Sequence, residues 1–167
     1  MKAIVVYESY WGNTAAVARA IAEGIGSEAR AMSTAEAAGE ALAGVELIVA
    51  GSPIVAFALP TERTRRDMAA KPGKAPSPPD LSHPSMRSWL EALPEKAGGG
   101  GRGAAFETGF KLSPGGSAAA ILRLLAKKGY SPAAKKQRFI VKGSFGPLKE
   151  GELDRARSWG SDLRKSK

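Results

Sequence analysis

The 167-residue chain is long enough to bury a core without disulfides or metal staples, and its 43% hydrophobic and 25% charged residues are an ordinary globular balance. It has no cysteine and one histidine, which excludes thiolate nucleophiles, disulfides, cysteine-ligated zinc, iron–sulfur clusters and multi-histidine metal sites. The net charge of +9 is uneven: residues 1–60 hold three basic and six acidic side chains, residues 61–167 hold 22 and 10, so the later chain carries the basic face, which reads as a solvated, solubilising surface or as an attraction for an anionic partner.

The opening residues, with the β-rich run Ile4-Val5-Val6-Tyr7, lack the basic and apolar regions of a signal peptide. No apolar run reaches the roughly 18 residues needed to cross a bilayer. The expected location is therefore the cytoplasm, without a membrane partner. After the turn Ser9-Tyr10-Trp11-Gly12-Asn13, an apolar stripe of Val17, Ile21 and Ile25 predicts a helix over 14–24. Asn13 or Thr14 is its expected N-cap, and Gly24 and Gly26 its stop. Residues 28–32 read as a weak edge strand. Residues 45–51 read as a buried strand that Ser52-Pro53 ends.

Residues 61–70 read as an exposed, heavily charged helix (Glu62, Arg63, Arg65, Arg66, Asp67), and residues 71–84, with five of the eleven prolines, as a loop. A short helix over 85–93 is anchored by Met86, Trp89, Leu90 and Leu93. A glycine-rich turn follows at 98–103, then a short strand at 104–106 and a helix over 116–128. The last strand falls near 138–142, and the last helix, from about 149, places Leu153, Ala156, Gly160 and Leu163 on one side. Trp89 and Trp159 read as core. Apolar strands alternating with helices predict one α/β domain over 1–167, an open five-stranded parallel sheet with helices on both faces.

In such sheets ligands bind at the carboxyl ends of the strands. The first strand-to-helix turn has the chemistry for a phosphate: free N–H groups at the positive end of a helix dipole, the neutral side chains of Ser9, Asn13 and Thr14, and Gly12 for close approach. No Lys or Arg lies in it, so hydrogen bonds rather than ion pairs would hold the anion.

Other candidates are weaker. Gly98, Gly100 and Gly103 satisfy G-x-G-x-x-G, but they precede a strand instead of opening a helix. His83, in Ser82-His83-Pro84, reads as an exposed loop histidine. Gly51-Ser52 and Gly116-Ser117 lack the nucleophile-elbow pattern. Arg63, Arg65 and Arg66 read as a solvated helix face or a contact for an anion. The cluster Lys127, Lys128, Lys135, Lys136, Arg138 and Lys142 has only Tyr130 and Phe139 near it, too few aromatics for a nucleic-acid surface.

The segment Tyr7-Glu8-Ser9-Tyr10-Trp11-Gly12-Asn13-Thr14, between a first strand and a first helix, resembles the phosphate loop of the flavodoxin family. Gly51-Ser52-Pro53-Ile54-Val55-Ala56-Phe57 and Glu107-Thr108-Gly109-Phe110 fall where that family keeps its other two cofactor loops. The closing Gly146-Pro147-Leu148-Lys149-Glu150-Gly151-Glu152-Leu153 is also similar to small flavodoxin-like proteins. The resemblance implies strand order 2-1-3-4-5, FMN as cofactor and electron transfer, as a carrier or an FMN-dependent oxidoreductase. It implies that Ser9, Tyr10, Trp11, Gly12, Asn13 and Thr14 wrap the phosphate. Pro53, Ile54, Val55, Ala56 and Phe57 would line one side of the isoalloxazine ring; Glu107, Thr108, Gly109 and Phe110 would line the other. The basic net charge points to an acidic redox partner. The alternative is a flavodoxin-fold interaction module that binds FMN weakly or not at all and meets an anionic partner through its basic surface.

Overall fold

A computed structural model describes residues 1–38, 42–71, 73–95 and 101–166. Strand β1 (Ala3–Tyr7) lies between β2 (Ala29–Ser33) and β3 (Leu47–Pro53), and β4 (Gly101–Gly109) follows β3, all parallel. The fifth position is shared by two short strands, β5 (Tyr130–Pro132) and β6 (Gln137–Ile140), each parallel to a different stretch of β4. The order is the expected 2-1-3-4-5, with a fifth strand broken in two where one continuous strand near 138–142 was expected. Pro132 lacks a ladder N–H, and residues 133–136 span only the two β4 positions between Gly103 and Phe106, so the strand bulges before it re-pairs.

Helices cover both faces. On one face Val5, Leu47, Val49 and Phe106 pack under α1 (Asn13–Ile25) and α6 (Glu152–Lys165). On the other, Ile4, Val6, Ile48 and Ala105 pack under α4 (Met86–Ala92) and α5 (Ala118–Lys127), with α2 (Thr34–Ala38) at the β2 edge. Burial on both faces is why the central strands read as unbroken apolar runs. Trp89 and Trp159 are core residues, as expected. Helices α1 and α6 approach until their backbones touch. A Cβ at Gly160 would lie 2.2 Å from the Ile21 carbonyl oxygen, and one at Gly24 2.0 Å from that of Arg157.

Several local expectations change. Neither Asn13 nor Thr14 caps α1; Gly12 does so in a left-handed conformation, and of the two expected stops Gly26 ends the helix while Gly24 lies within it. Ser52 and Pro53 do not end β3 but belong to it: Pro53 is the last residue, paired with Thr108, where its missing N–H costs little. Strand β4 runs nine residues rather than three, and of the glycine-rich turn residues 101–103 are strand while Gly98 and Gly100 lie outside the described residues. Helix α3 (Glu62–Ala70), capped by the Thr61 hydroxyl, lies where a helix was expected, but it is not simply exposed, because Arg65 is buried.

Among the described residues no helix is long and apolar enough to cross a membrane.

Candidate functional site

Loops after β1, β3, β4 and β6 enclose a cavity of about 310 Å³ at the carboxyl ends of the strands, at the lower end of the range for small-molecule sites. The first loop supplies a cradle. Gly12, with φ 90°, turns the chain so that its N–H donates to Ser9 Oγ at 3.1 Å and α1 can begin. The first intrahelical bond runs from Ala16 N to the Gly12 carbonyl, which leaves the N–H groups of Asn13, Thr14 and Ala15 without intrahelical acceptors. Thr14 Oγ1 is 2.9 Å from Thr108 Oγ1 and ties the cradle to the carboxyl end of β4. Asn13 Nδ2 donates to the Phe145 carbonyl, and the Trp11 indole meets the Phe145 ring edge-on at 4.7 Å while its Nε1 donates to the Ser77 carbonyl.

The rest of the cavity is a mostly apolar slot. Ile54, whose N–H donates to the Thr108 carbonyl, packs over Gly109, where any Cβ would lie 2.7 Å from Ile54 Cδ1. Val55 and Ala58 exchange both backbone bonds across a two-residue turn, with Ala56 at φ 48° and Phe57 at φ 66°. Such a turn prefers Asn-Gly; two consecutive side-chain-bearing residues in the left-handed region are strained, and the strain sits at the cavity rim. Phe57 is 63% exposed there; Phe110 of the cavity lining, at 46%, and Leu112, at 89%, are exposed as well.

Beneath the cradle lies a buried polar network. The Glu8 carboxylate is inaccessible to solvent and accepts four hydrogen bonds: from Tyr10 Oη (2.6 Å) and Arg65 Nη1 (2.5 Å) on one oxygen, from Ser52 Oγ (3.2 Å) and Met86 N (3.0 Å) on the other. Arg65 Nη2 continues to the His83 carbonyl. Burial, then the Glu8 charge, raises the Tyr10 phenol far above its usual range, so it remains a protonated donor. Arg65 is therefore neither solvated nor free to meet an anion, unlike its neighbours Arg63 and Arg66, which are exposed. His83 is also buried rather than exposed: Nε2 faces the Ser9 carbonyl at 3.2 Å and Nδ1 the Pro84 carbonyl at 3.2 Å. Among the described residues no cluster of His, Asp and Glu could hold a metal.

No family model and no curated protein matches the chain in sequence. Solved structures do match in shape. A flavodoxin from the domain Archaea superposes with a TM-score of 0.63 at 20% identity, over 99% of this chain and 97% of that one. Oxidised Flavodoxin 1 from Bacillus cereus gives 0.66 at 16% identity, over 99% and 98%. The fold is that of the flavodoxins. The rubredoxin oxygen:oxidoreductase of Desulfovibrio gigas also matches, at 0.65 and 15% identity, over 98% of this chain but 35% of its own.

Within this flavodoxin fold the three sequence-marked loops do converge on one cavity. Ser9, Tyr10, Trp11, Asn13, Thr14, Pro53, Ile54, Val55, Ala56, Thr108, Gly109 and Phe110 line it, whereas Gly12, Phe57 and Glu107 do not. The Tyr10 hydroxyl points down to Glu8, the Trp11 indole is bonded to Ser77, and Glu107 is buried behind the wall. Sequence reasoning missed Met68 of α3, Ser113, and the fourth loop with Val141, Ser144 and Phe145. The signal for that loop was available. Gly143-Ser144-Phe145-Gly146-Pro147 is a turn directly after the last strand, where open α/β sheets place ligand contacts.

Proposed function

We propose that residues 1–167 form one flavodoxin-like domain that binds FMN and transfers electrons through it. The observation that carries this reading is the pairing of an uncharged N–H and hydroxyl cradle at the α1 N-terminus with a mainly apolar slot beside it. The donor set suits a terminal phosphate: free helix N–H groups, the positive dipole end, and the hydroxyls of Ser9 and Thr14. The slot suits a flat heteroaromatic ring between Ile54 and Val55 on one side and Phe110 on the other, with only backbone groups of the 53–56 segment available to its polar edge. FMN supplies the one- and two-electron chemistry when bound; the chain supplies phosphate capture, ring placement and exclusion of water. FMN fluorescence should be quenched on titration with micromolar protein, and the melting temperature should rise with FMN concentration. Thr14→Val should weaken binding about tenfold, the equivalent of roughly 1.4 kcal/mol. A protein that leaves both fluorescence and melting temperature unmoved is an interaction module instead.

The partner we propose is an acidic redox protein. Residues 108–149 carry nine Lys and Arg and no Asp or Glu, and they build two of the four cavity walls together with the β5–β6 edge. Lys111 and Lys142 are exposed beside Phe110 and Val141 at the cavity. Docking there brings an acidic surface to the cavity mouth, with association steered by long-range attraction. The rate of reaction with an acidic electron carrier should fall as ionic strength rises; a rate that climbs with salt rejects this partner class.

A further inference from the structure

One arginine bonds the loop that follows Phe110, and that same loop bonds the turn of Phe57. Arg138, on β6, donates from Nε to Glu107 Oε1 at 2.7 Å. Its Nη1 reaches the carbonyls of Phe110 (3.3 Å) and Ser113 (2.7 Å), and its Nη2 that of Gly115 (2.9 Å). The next residue, Gly116, donates its N–H to the Phe57 carbonyl at 2.9 Å, so the strained turn at Ala56 and Phe57 rests on the same loop. The packing leaves no space: a Cβ at Gly115 would lie 2.0 Å from the Phe57 carbonyl oxygen, and one at Gly116 2.6 Å from Glu107 Oε2. Glu107 in turn is fixed from behind, because its Oε2 accepts the Ala118 N–H at the start of α5.

A matching arrangement serves the cradle side. Glu8 accepts the N–H of Met86 at the start of α4 and binds Arg65, whose other nitrogen holds the His83 carbonyl. The two halves join through Ser52, whose hydroxyl donates to Glu8 and whose carbonyl accepts from Ser117. A planar guanidinium with five fixed donors suits this work; an ammonium on a flexible stem cannot reach one carboxylate and three separate carbonyls.

We propose that Arg138, anchored by Glu107, is the positioning residue that holds the loops of Phe57 and Phe110 in their ligand-ready arrangement before any ligand arrives. The loop that carries Phe110 also carries Lys111 and Leu112, both exposed, so its order is open to a direct probe.

The experiment compares wild type with Arg138→Ala and Arg138→Lys, first without FMN. Native-state trypsin cleavage after Lys111 should be at least tenfold faster in both variants, and millimolar guanidinium chloride should slow it in Arg138→Ala by more than it slows the same cleavage in wild type. Arg138→Lys keeps a cation beside Glu107, so it serves as the folded test if Arg138→Ala fails to fold. FMN titration is the second arm and alone rests on the function proposed above; there both variants should bind at least tenfold more weakly. If wild type does not bind FMN, the cofactor reading fails while the cleavage arm still decides this one. Unchanged cleavage at Lys111 in a folded variant, or faster cleavage that guanidinium slows in Arg138→Ala no more than in wild type, overturns the positioning role.

Discussion

Arg65→Ala is expected to lower the stability of the protein by about 3–5 kcal/mol, the usual consequence of removing one member of a buried ion pair. The guanidinium and the Glu8 carboxylate are both almost fully withdrawn from water, and the carboxylate has no solvent to turn to once its cation is gone. Three donors would remain, from Tyr10, Ser52 and Met86, but none carries charge. For a chain of this size the melting temperature should drop by on the order of 10 °C, measurable by circular dichroism. The double change Glu8→Gln with Arg65→Met should recover much of the loss, because a neutral pair of similar volume needs no compensating charge. An Arg65→Ala protein that melts within a degree or two of wild type would refute the structural role of the pair. The loss should reach the cavity as well: Arg65 fixes α3, which places Met68 against the slot, and Glu8 carries the hydroxyl of Tyr10 in the cradle.

Gly160→Val is expected to be as damaging for a different reason. The Cβ alone would collide with the backbone of α1 at Ile21, and the obstacle is a carbonyl rather than the yielding end of a side chain. Helices α1 and α6 must then separate along their contact, opening gaps around Val17, Ile21, Ala156 and Leu163. Overpacking ordinarily costs about 1–3 kcal/mol, and here the displacement of a whole helix should bring it to the top of that range or beyond. Urea unfolding should show a lower midpoint, and an unaltered midpoint would mean that the two helices do not meet as described. Because the start of α1 is the cradle, the FMN binding proposed above should weaken in the folded fraction as well.

The architecture was open to sequence reasoning because its signals are local. Val5, Val6, Leu47, Ile48 and Val49 announce strands covered on both sides, and Val17, Ile21 and Ile25 announce a helix with one buried stripe. The cradle was legible for the same reason, being a strand, a tight turn and a helix start within a few consecutive residues. What could not be read is pairing across long stretches of chain. Arg65 looks like any cation on a polar helix until Glu8, 57 residues earlier, is placed beside it. His83 looks like an exposed loop residue until the Ser9 carbonyl arrives opposite its ring. Glu107 follows the expected strand 104–106 as a cavity residue would, yet it lies inside β4, and the N–H of Ala118 and the guanidinium of Arg138 hold its side chain behind the wall. The division of the fifth strand depends on how residues 133–136 match only two positions of β4, a mismatch invisible in either segment alone.

The turn of Ala56 and Phe57 sets durability against contact. Asn-Gly in the same place would relax both left-handed residues and firm up the molecule, since most proteins accept such improvements without harm to the fold. It would also erase the ring that stands farthest into solvent on that rim. Thermostable descendants of this chain, whether bred in the laboratory or by drift, should therefore tend to lose the exposed Phe57 ring at this corner first.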